Sequence, residues 1–121
     1  MSETLDMDPR DAAIIAEQND RFRQALGPTG DVKGRCVVTQ ALAALGPELQ
    51  LAALREVAGF ITFTSDNDPF EVHEMGSVQI GEHTVFWRID LYDTDYHWGA
   101  ETPTDLDATR RVLTIMLAGD L

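Results

Sequence analysis

Cysteine is nearly missing from this chain: Cys36 stands alone among 121 residues. That excludes an internal disulfide and any cluster needing several thiolates from one chain, and it fits a reducing compartment. Long apolar runs are missing too. No stretch reaches the roughly eighteen apolar residues that a membrane helix needs, and the start Met1-Ser2-Glu3-Thr4-Leu5-Asp6 has neither a basic region nor an apolar run. The expected location is therefore cytoplasmic, without membrane contact. Positive charge is scarce, with 9 Lys and Arg against 21 Asp and Glu and a net charge of −12, so direct nucleic-acid binding is not expected. Apolar residues, by contrast, make up 44% of the chain, enough to bury a core and argue against wholesale disorder. One domain over 1–121 is expected, with residues 1–8 as a flexible N-terminus.

The charge is unevenly spread. Residues 1–20 carry −5, 21–60 carry +2, 61–107 carry −10 and 108–121 carry +1. Between Asp66 and Asp107, eleven carboxylates meet a single cation, Arg88, so most must face water or a partner. One continuous outward field of negative potential would attract basic protein surfaces, over a reach of about 8 Å at physiological salt.

Local patterns give the elements. Asp8-Pro9-Arg10-Asp11 reads as a capped helix start, followed by Ile14, Ile15, Phe22 and Leu26 near one stripe and a stop at Gly27-Pro28. Cys36-Val37-Val38-Thr39 reads as a strand. Gln40 to Leu45 suggests a brief helix, and Gly46-Pro47 opens another with Leu51, Leu54, Val57 and Ala58 as its buried face. Ser65-Asp66-Asn67-Asp68-Pro69 is a strong loop signal. Met75 to Ile80 and Thr84 to Leu91 form a hairpin across Gly81-Glu82-His83, with Val85, Trp87, Ile89 and Leu91 on one face. Tyr96 to Asp105 reads as loop. A last helix is expected from Asp105 or Asp107 to Gly119, burying Val112, Leu113, Ile115 and Met116. The fold class is α+β: a small antiparallel sheet with a central hairpin, packed against about three helices.

Four segments in order, Thr64-Ser65-Asp66-Asn67-Asp68-Pro69, His73-Glu74-Met75-Gly76, Phe86-Trp87-Arg88-Ile89-Asp90-Leu91-Tyr92-Asp93 and Arg111-Val112-Leu113-Thr114-Ile115-Met116-Leu117, resemble the bacterial domain-of-unknown-function family 3768. The resemblance covers about Ile14 to Ala118. It implies a small accessory protein of plasmids and integrative elements and implies no activity. Members often carry Glu-His-Asp-Phe-Gly where this chain has Val72-His73-Glu74-Met75-Gly76, so an acid at position 72 is missing here.

Three groups of residues invite chemistry. Asp66, Asp68, His73, Glu74, Asp90 and Asp93 are ligand types for a divalent ion, although neither a His-Glu-x-x-His spacing nor a complete EF-hand loop is present. The bland alternative has Asp66 and Asp68 capping turns and Asp90 pairing with Arg88 or Arg111. Cys36 opens a β-branched run, the setting of a small buried hydrophobe rather than a nucleophile, and Gly27 to Gly34 is glycine-rich without spelling a phosphate loop. The third group is a surface. Trp87, Tyr92, Tyr96, His97 and Trp98 lie amid Asp90, Asp93, Asp95 and Glu101, a mixture suited to gripping Lys and Arg side chains, with Trp87 assigned to the core by strand parity.

The expected function is a non-enzymatic, acidic binding protein that uses Asp90, Asp93, Asp95, Tyr96, Trp98 and Glu101 to dock on a basic, nucleic-acid-handling protein. On a mobile element this would be an anti-defence inhibitor that mimics or occludes DNA. The alternative is a metal-dependent hydrolase built on Asp66, Asp68, His73 and Asp90. No resident cofactor is expected, and the apolar segment Val112 to Leu117 could also bury itself against a second copy.

Overall fold

The computed structural model describes residues 7–120, so most of the stretch expected to be a flexible terminus lies outside the described residues. Asp8 itself is fixed: its carboxylate accepts the Arg10 N–H at 2.8 Å, capping helix α1 (Pro9–Gln24) with proline in the first turn. The buried stripe of α1 is Ala12, Ile15, Ala16, Asn19, Phe22 and Arg23. Ile14, expected on that stripe, points to solvent instead.

Strand β1 (Gly34–Val38) follows, then the single-turn helix α2 (Gln40–Ala43) and helix α3 (Pro47–Ala58). In α3 the buried positions are Ala53 and Val57, with Leu54 packed on the core and Ala58 partly buried, so of the expected face Leu51 alone, 48% exposed, is turned to solvent. The hairpin is β2 (Met75–Ile80) and β3 (His83–Tyr92), paired from Met75↔Arg88 to Ile80↔His83 across Gly81 and Glu82. Gly81 takes the positive φ of 59° that such a tight turn requires.

The segment expected as a C-terminal helix is a strand, β4 (Arg110–Leu117), followed by a short 3-10 turn Ala118–Asp120. Its apolar residues are spaced so that a helix could also bury them, and a short continuous apolar run does not separate the two periods. Packing decides for the strand. β4 lies between β1 and β3 in the order β1-β4-β3-β2, antiparallel to β3 and parallel to β1, and alternates Arg111, Leu113 and Ile115 into the core. The parallel edge depends on Gly34, at φ 153°, where a Cβ would stand 1.9 Å from the Arg111 carbonyl oxygen.

The fold is thus α+β, with a four-stranded sheet and three α-helices among the described residues. Phe22, Leu42, Ala53 and Val57 from the helices meet Val85, Trp87, Ile89, Leu113 and Ile115 from one sheet face. Gly76 allows the closest approach there: a Cβ would lie 2.8 Å from both the Phe60 ring and Trp87 Nε1. The opposite face presents Met75, Phe86, Arg88 and Asp90, with no helix over it among the described residues, as expected for a half-wet sheet. Among the described residues no helix is long and apolar enough to cross a membrane.

Candidate functional site

Where β3 ends, the chain makes a closed excursion held by one aspartate. Asp93 Oδ1 accepts the N–H groups of Asp95 (3.2 Å) and His97 (3.1 Å), while the Asp93 N–H donates to the Trp98 carbonyl at 2.8 Å. Such side-chain-to-backbone bonds are what aspartate offers a turn. Tyr96 adopts a left-handed φ of 60°, and the chain rejoins the sheet through the bridge Tyr92↔Gly99. This folding pushes the Trp98 indole outward, 75% exposed. Trp98, Asp93 and Glu101 then line one open cleft of about 300 Å³, with Thr94, Thr102 and Ala108.

The six residues expected to bind protein therefore separate. Asp93, Trp98 and Glu101 share the cleft, and Asp95 is exposed in the same loop. Tyr96 is occupied by this chain's own Arg35, whose guanidinium carbon lies 3.9 Å from the ring centroid. Asp90 sits on the open sheet face, bonded by Arg88 Nε at 3.0 Å. Trp87 is core, as its parity implies.

The carboxylates do not form the single continuous field expected. Asp68, Asp93 and Asp105 accept backbone N–H groups, and Asp90 and Asp107 face Arg88 and Lys33. Glu82 occupies the hairpin tip, at the other end of β3 from the 93–101 loop; a strand of ten residues spans roughly 30 Å. What is left at the loop end is a local acidic rim around Trp98.

A second polar cluster lies where α1 meets the 64–73 loop, with His73 and Asp20 partly exposed beside an open pocket of about 510 Å³. His73 Nδ1 stands 2.9 and 3.0 Å from the two Asp20 oxygens, and since a carboxylate only accepts, Nδ1 carries the proton. His73 Nε2 is 3.6 Å from Asp68 Oδ2, and the ring stacks on Phe63 with centroids 3.8 Å apart. Asp68, nearly fully buried, accepts the N–H groups of Val72 and His73 at 3.0 Å each and so holds Glu71 and His73 at positive φ of 59° and 55°. Asp20 also accepts from Arg23 Nη1 at 2.9 Å. Arg23, 1% exposed, donates to the carbonyls of Val57 and Phe60 and lies over the Phe63 and Trp87 rings. Next along α1, Asn19 bridges the Val72 carbonyl and Arg111 Nε, and Gln18 accepts from Arg111 Nη2.

This cluster ties α1 to the 64–73 loop and to β4, and it leaves two buried nitrogens, Arg111 Nη1 and Trp87 Nε1, without a hydrogen-bond partner among the described residues. Among the described residues no three His, Cys, Asp or Glu side chains come together to hold a metal ion, so Asp66, Asp68, His73 and Asp90 are not assembled as a ligand set. Asp68 and His73 do meet; Asp66 is exposed in the loop and Asp90 pairs with Arg88. Burial pulls the Arg111 guanidinium down to about 10, with Arg21 adding to the effect and Glu17 opposing it. Burial also raises Glu74 above the ordinary glutamate range, helped by the charges of Asp68 and Asp90. Cys36 is half-buried on β1 and burial raises its thiol, which suits an inert side chain.

Asp20, Asn19, Gln18 and Arg23 were not expected at any site. The available signal was their spacing: Asn19 and Arg23 continue the helical stripe of Ala12, Ile15 and Ala16, and a polar residue on a buried stripe needs a partner.

No curated protein and no solved structure matches this chain. A family model matches residues 38–120, starting later than the Ile14 at which the resemblance was drawn. The matched span includes the 64–73 loop, the hairpin, the 93–101 excursion and β4, and leaves out α1 with its four polar partners. On that match the chain belongs to the family described as protein of unknown function DUF3768.

Proposed function

We propose that this protein is a non-enzymatic binding module that grips a basic protein through the 93–101 loop, with Trp98 as anchor and Asp93, Asp95 and Glu101 as its acidic rim. The supporting observation is the 75% exposure of Trp98 beside Asp93 and Glu101 in one cleft. An indole left in water is unfavourable by its apolar area, and tryptophan is among the side chains that dominate protein interfaces once covered. Lys or Arg from a partner meets both the ring face and the carboxylates there. Tyr96 is covered by Arg35 and Asp90 is paired with Arg88 on the sheet face, so neither is a contact residue in this reading.

The narrower form of the proposal is an inhibitor on a mobile element, in the cytoplasm, that occludes a nucleic-acid-handling protein by covering its basic surface. The metal-dependent hydrolase alternative has no ligand set among the described residues to support it. Affinity capture from a lysate of the source cells, at low and at high salt, tests the proposal with wild type and a Trp98→Ala, Glu101→Gln double variant. A basic protein recovered at low salt by wild type and lost by the double variant is the expected result. Recovery of no basic protein at either salt, or equal recovery by both chains, overturns it.

A further inference from the structure

Strand β2 ends the sheet, and its register fixes which way its backbone groups point. Ile80 and His83 close a two-residue turn, and the Ile89 N–H donates to the Glu74 carbonyl at 2.7 Å. In an antiparallel pair this parity turns the amides and carbonyls of Glu74, Gly76, Val78 and Ile80 toward β3, and those of Met75, Ser77 and Gln79 away from it. Among the described residues nothing outside the hairpin bonds these outward groups. The strand also lacks the usual protection of a sheet edge. Met75-Gly76-Ser77-Val78-Gln79-Ile80 has no charge and no proline, whereas the opposite edge, β1, is five residues long and carries Arg35.

A groove of about 440 Å³ runs beside this edge, walled on its other side by Gly59 to Thr62 and lined by Glu56, Ile61, Asn67, Ser77 and Gln79 among others. Ile61, 83% exposed, stands ready for an apolar contact. Of the residues lining the groove the charged one is Glu56, and Glu74 and Glu82 bracket the strand in sequence; Arg88, across from Met75 on β3, is paired with Asp90 on the open sheet face.

We propose that the β2 edge is a second docking site, which takes an extended segment of a partner protein as a fifth strand, with an uncharged, β-branched centre and Lys or Arg at its ends. Main-chain bonds to Met75, Ser77 and Gln79 give affinity, and the flanking glutamates select the basic ends. The sign of the partner's charge is shared with the function proposed above; the strand-addition geometry does not depend on the 93–101 loop.

The test titrates the full chain, followed by amide NMR and hydrogen exchange, with a synthetic peptide Lys-Thr-Val-Thr-Val-Thr-Lys. Two control peptides replace both Lys by Glu or N-methylate alternate amides. The expected result is saturable shifts and slowed exchange at the amides of Met75, Ser77 and Gln79, at least tenfold weaker binding of the Glu-ended peptide, and none of the N-methylated one. Ser77→Pro removes an outward N–H without breaking a bond to β3 and should weaken binding at least tenfold; if that variant does not fold, the N-methylated peptide makes the same comparison on wild type. Equal binding of the N-methylated peptide, or protection of the β2 amides that rises with protein concentration alone and so marks a second copy, overturns the proposal. If the Lys-ended peptide shifts only the 93–101 loop, strand addition fails and the basic-partner reading stands. If the Glu-ended peptide binds the edge equally well, the basic ends proposed here are wrong and the charge argument fails with them.

Discussion

Two regions of this molecule are built from the same side chains and put to opposite use. Around His73, aspartates, an aromatic ring and a cation close on one another: Asp20 takes His73 and Arg23, Asp68 takes two backbone amides, and Phe63 covers the imidazole. In the 93–101 loop, Asp93 folds the backbone, and Trp98, Asp95 and Glu101 are left facing outward. The difference is what packs above them. Helix α1 packs on the first region and supplies Asn19, Asp20 and Arg23, leaving one side of His73 open to a pocket of about 510 Å³, whereas among the described residues no such partners reach Trp98. An acidic, aromatic stretch is thus a surface only where the fold brings nothing to saturate it.

The largest effect should come from removing α1's contribution. Asp20→Ala leaves Arg23 buried without a carboxylate and His73 Nδ1 without its acceptor. Taking one partner from a buried ion pair costs about 3–5 kcal/mol, and the partial exposure of Asp20 places this case at the low end. Urea denaturation measures it; a loss under about 1 kcal/mol would mean that the cluster behaves like a surface ion pair and not as a tie between α1 and the loop. Gly76→Ala comes next. The added methyl meets the Phe60 ring and Trp87 at 2.8 Å, and overpacking of this kind costs typically about 1–3 kcal/mol. Full stability of that variant would show that Phe60 moves aside freely.

The sequence was informative where a local rule acts alone. Asp8-Pro9 set the start of α1, Gly81 placed the hairpin, and alternation through Val85, Trp87 and Ile89 gave the buried face of β3. It was misleading where a distant neighbour decides. Arg111 to Leu117 suits a helix by spacing and became a strand because β1 and β3 flank it on both sides. The same holds for the site. Asp93, Trp98 and Glu101 were legible as an acidic, aromatic loop, but Tyr96 and Asp90 are engaged by Arg35 and Arg88, contacts that no local pattern marks. Arg23 and Asn19 were hidden for the converse reason: each is an ordinary polar residue on a helix until the stripe it occupies is seen to be buried.

Glu74 lies at the border of the closed region and should show a smaller, pH-dependent effect. Its carboxyl is raised by burial first and by Asp68 and Asp90 after that, so between its unfolded and folded values the native state binds more protons than the unfolded chain. Stability therefore falls as pH rises from just above the ordinary glutamate value through the folded one. Glu74→Gln should flatten that part of the stability curve and leave the variant slightly more stable than wild type at neutral pH. Unchanged pH dependence would show that Glu74 is well solvated.

Trp98→Ala should disturb the fold least of all. An exposed side chain away from caps, cavities and buried pairs changes stability by roughly 0.5 kcal/mol or less, and the loop's shape rests on Asp93 rather than on the indole. Denaturation of Trp98→Ala beside Asp93→Ala separates the two roles. Asp93→Ala should lower stability measurably, because the amides of Asp95 and His97 lose their acceptor, while Trp98→Ala unfolds with wild type. If Trp98→Ala is instead the less stable of the pair, the indole is a structural pin for the loop, and its exposure no longer argues for a partner.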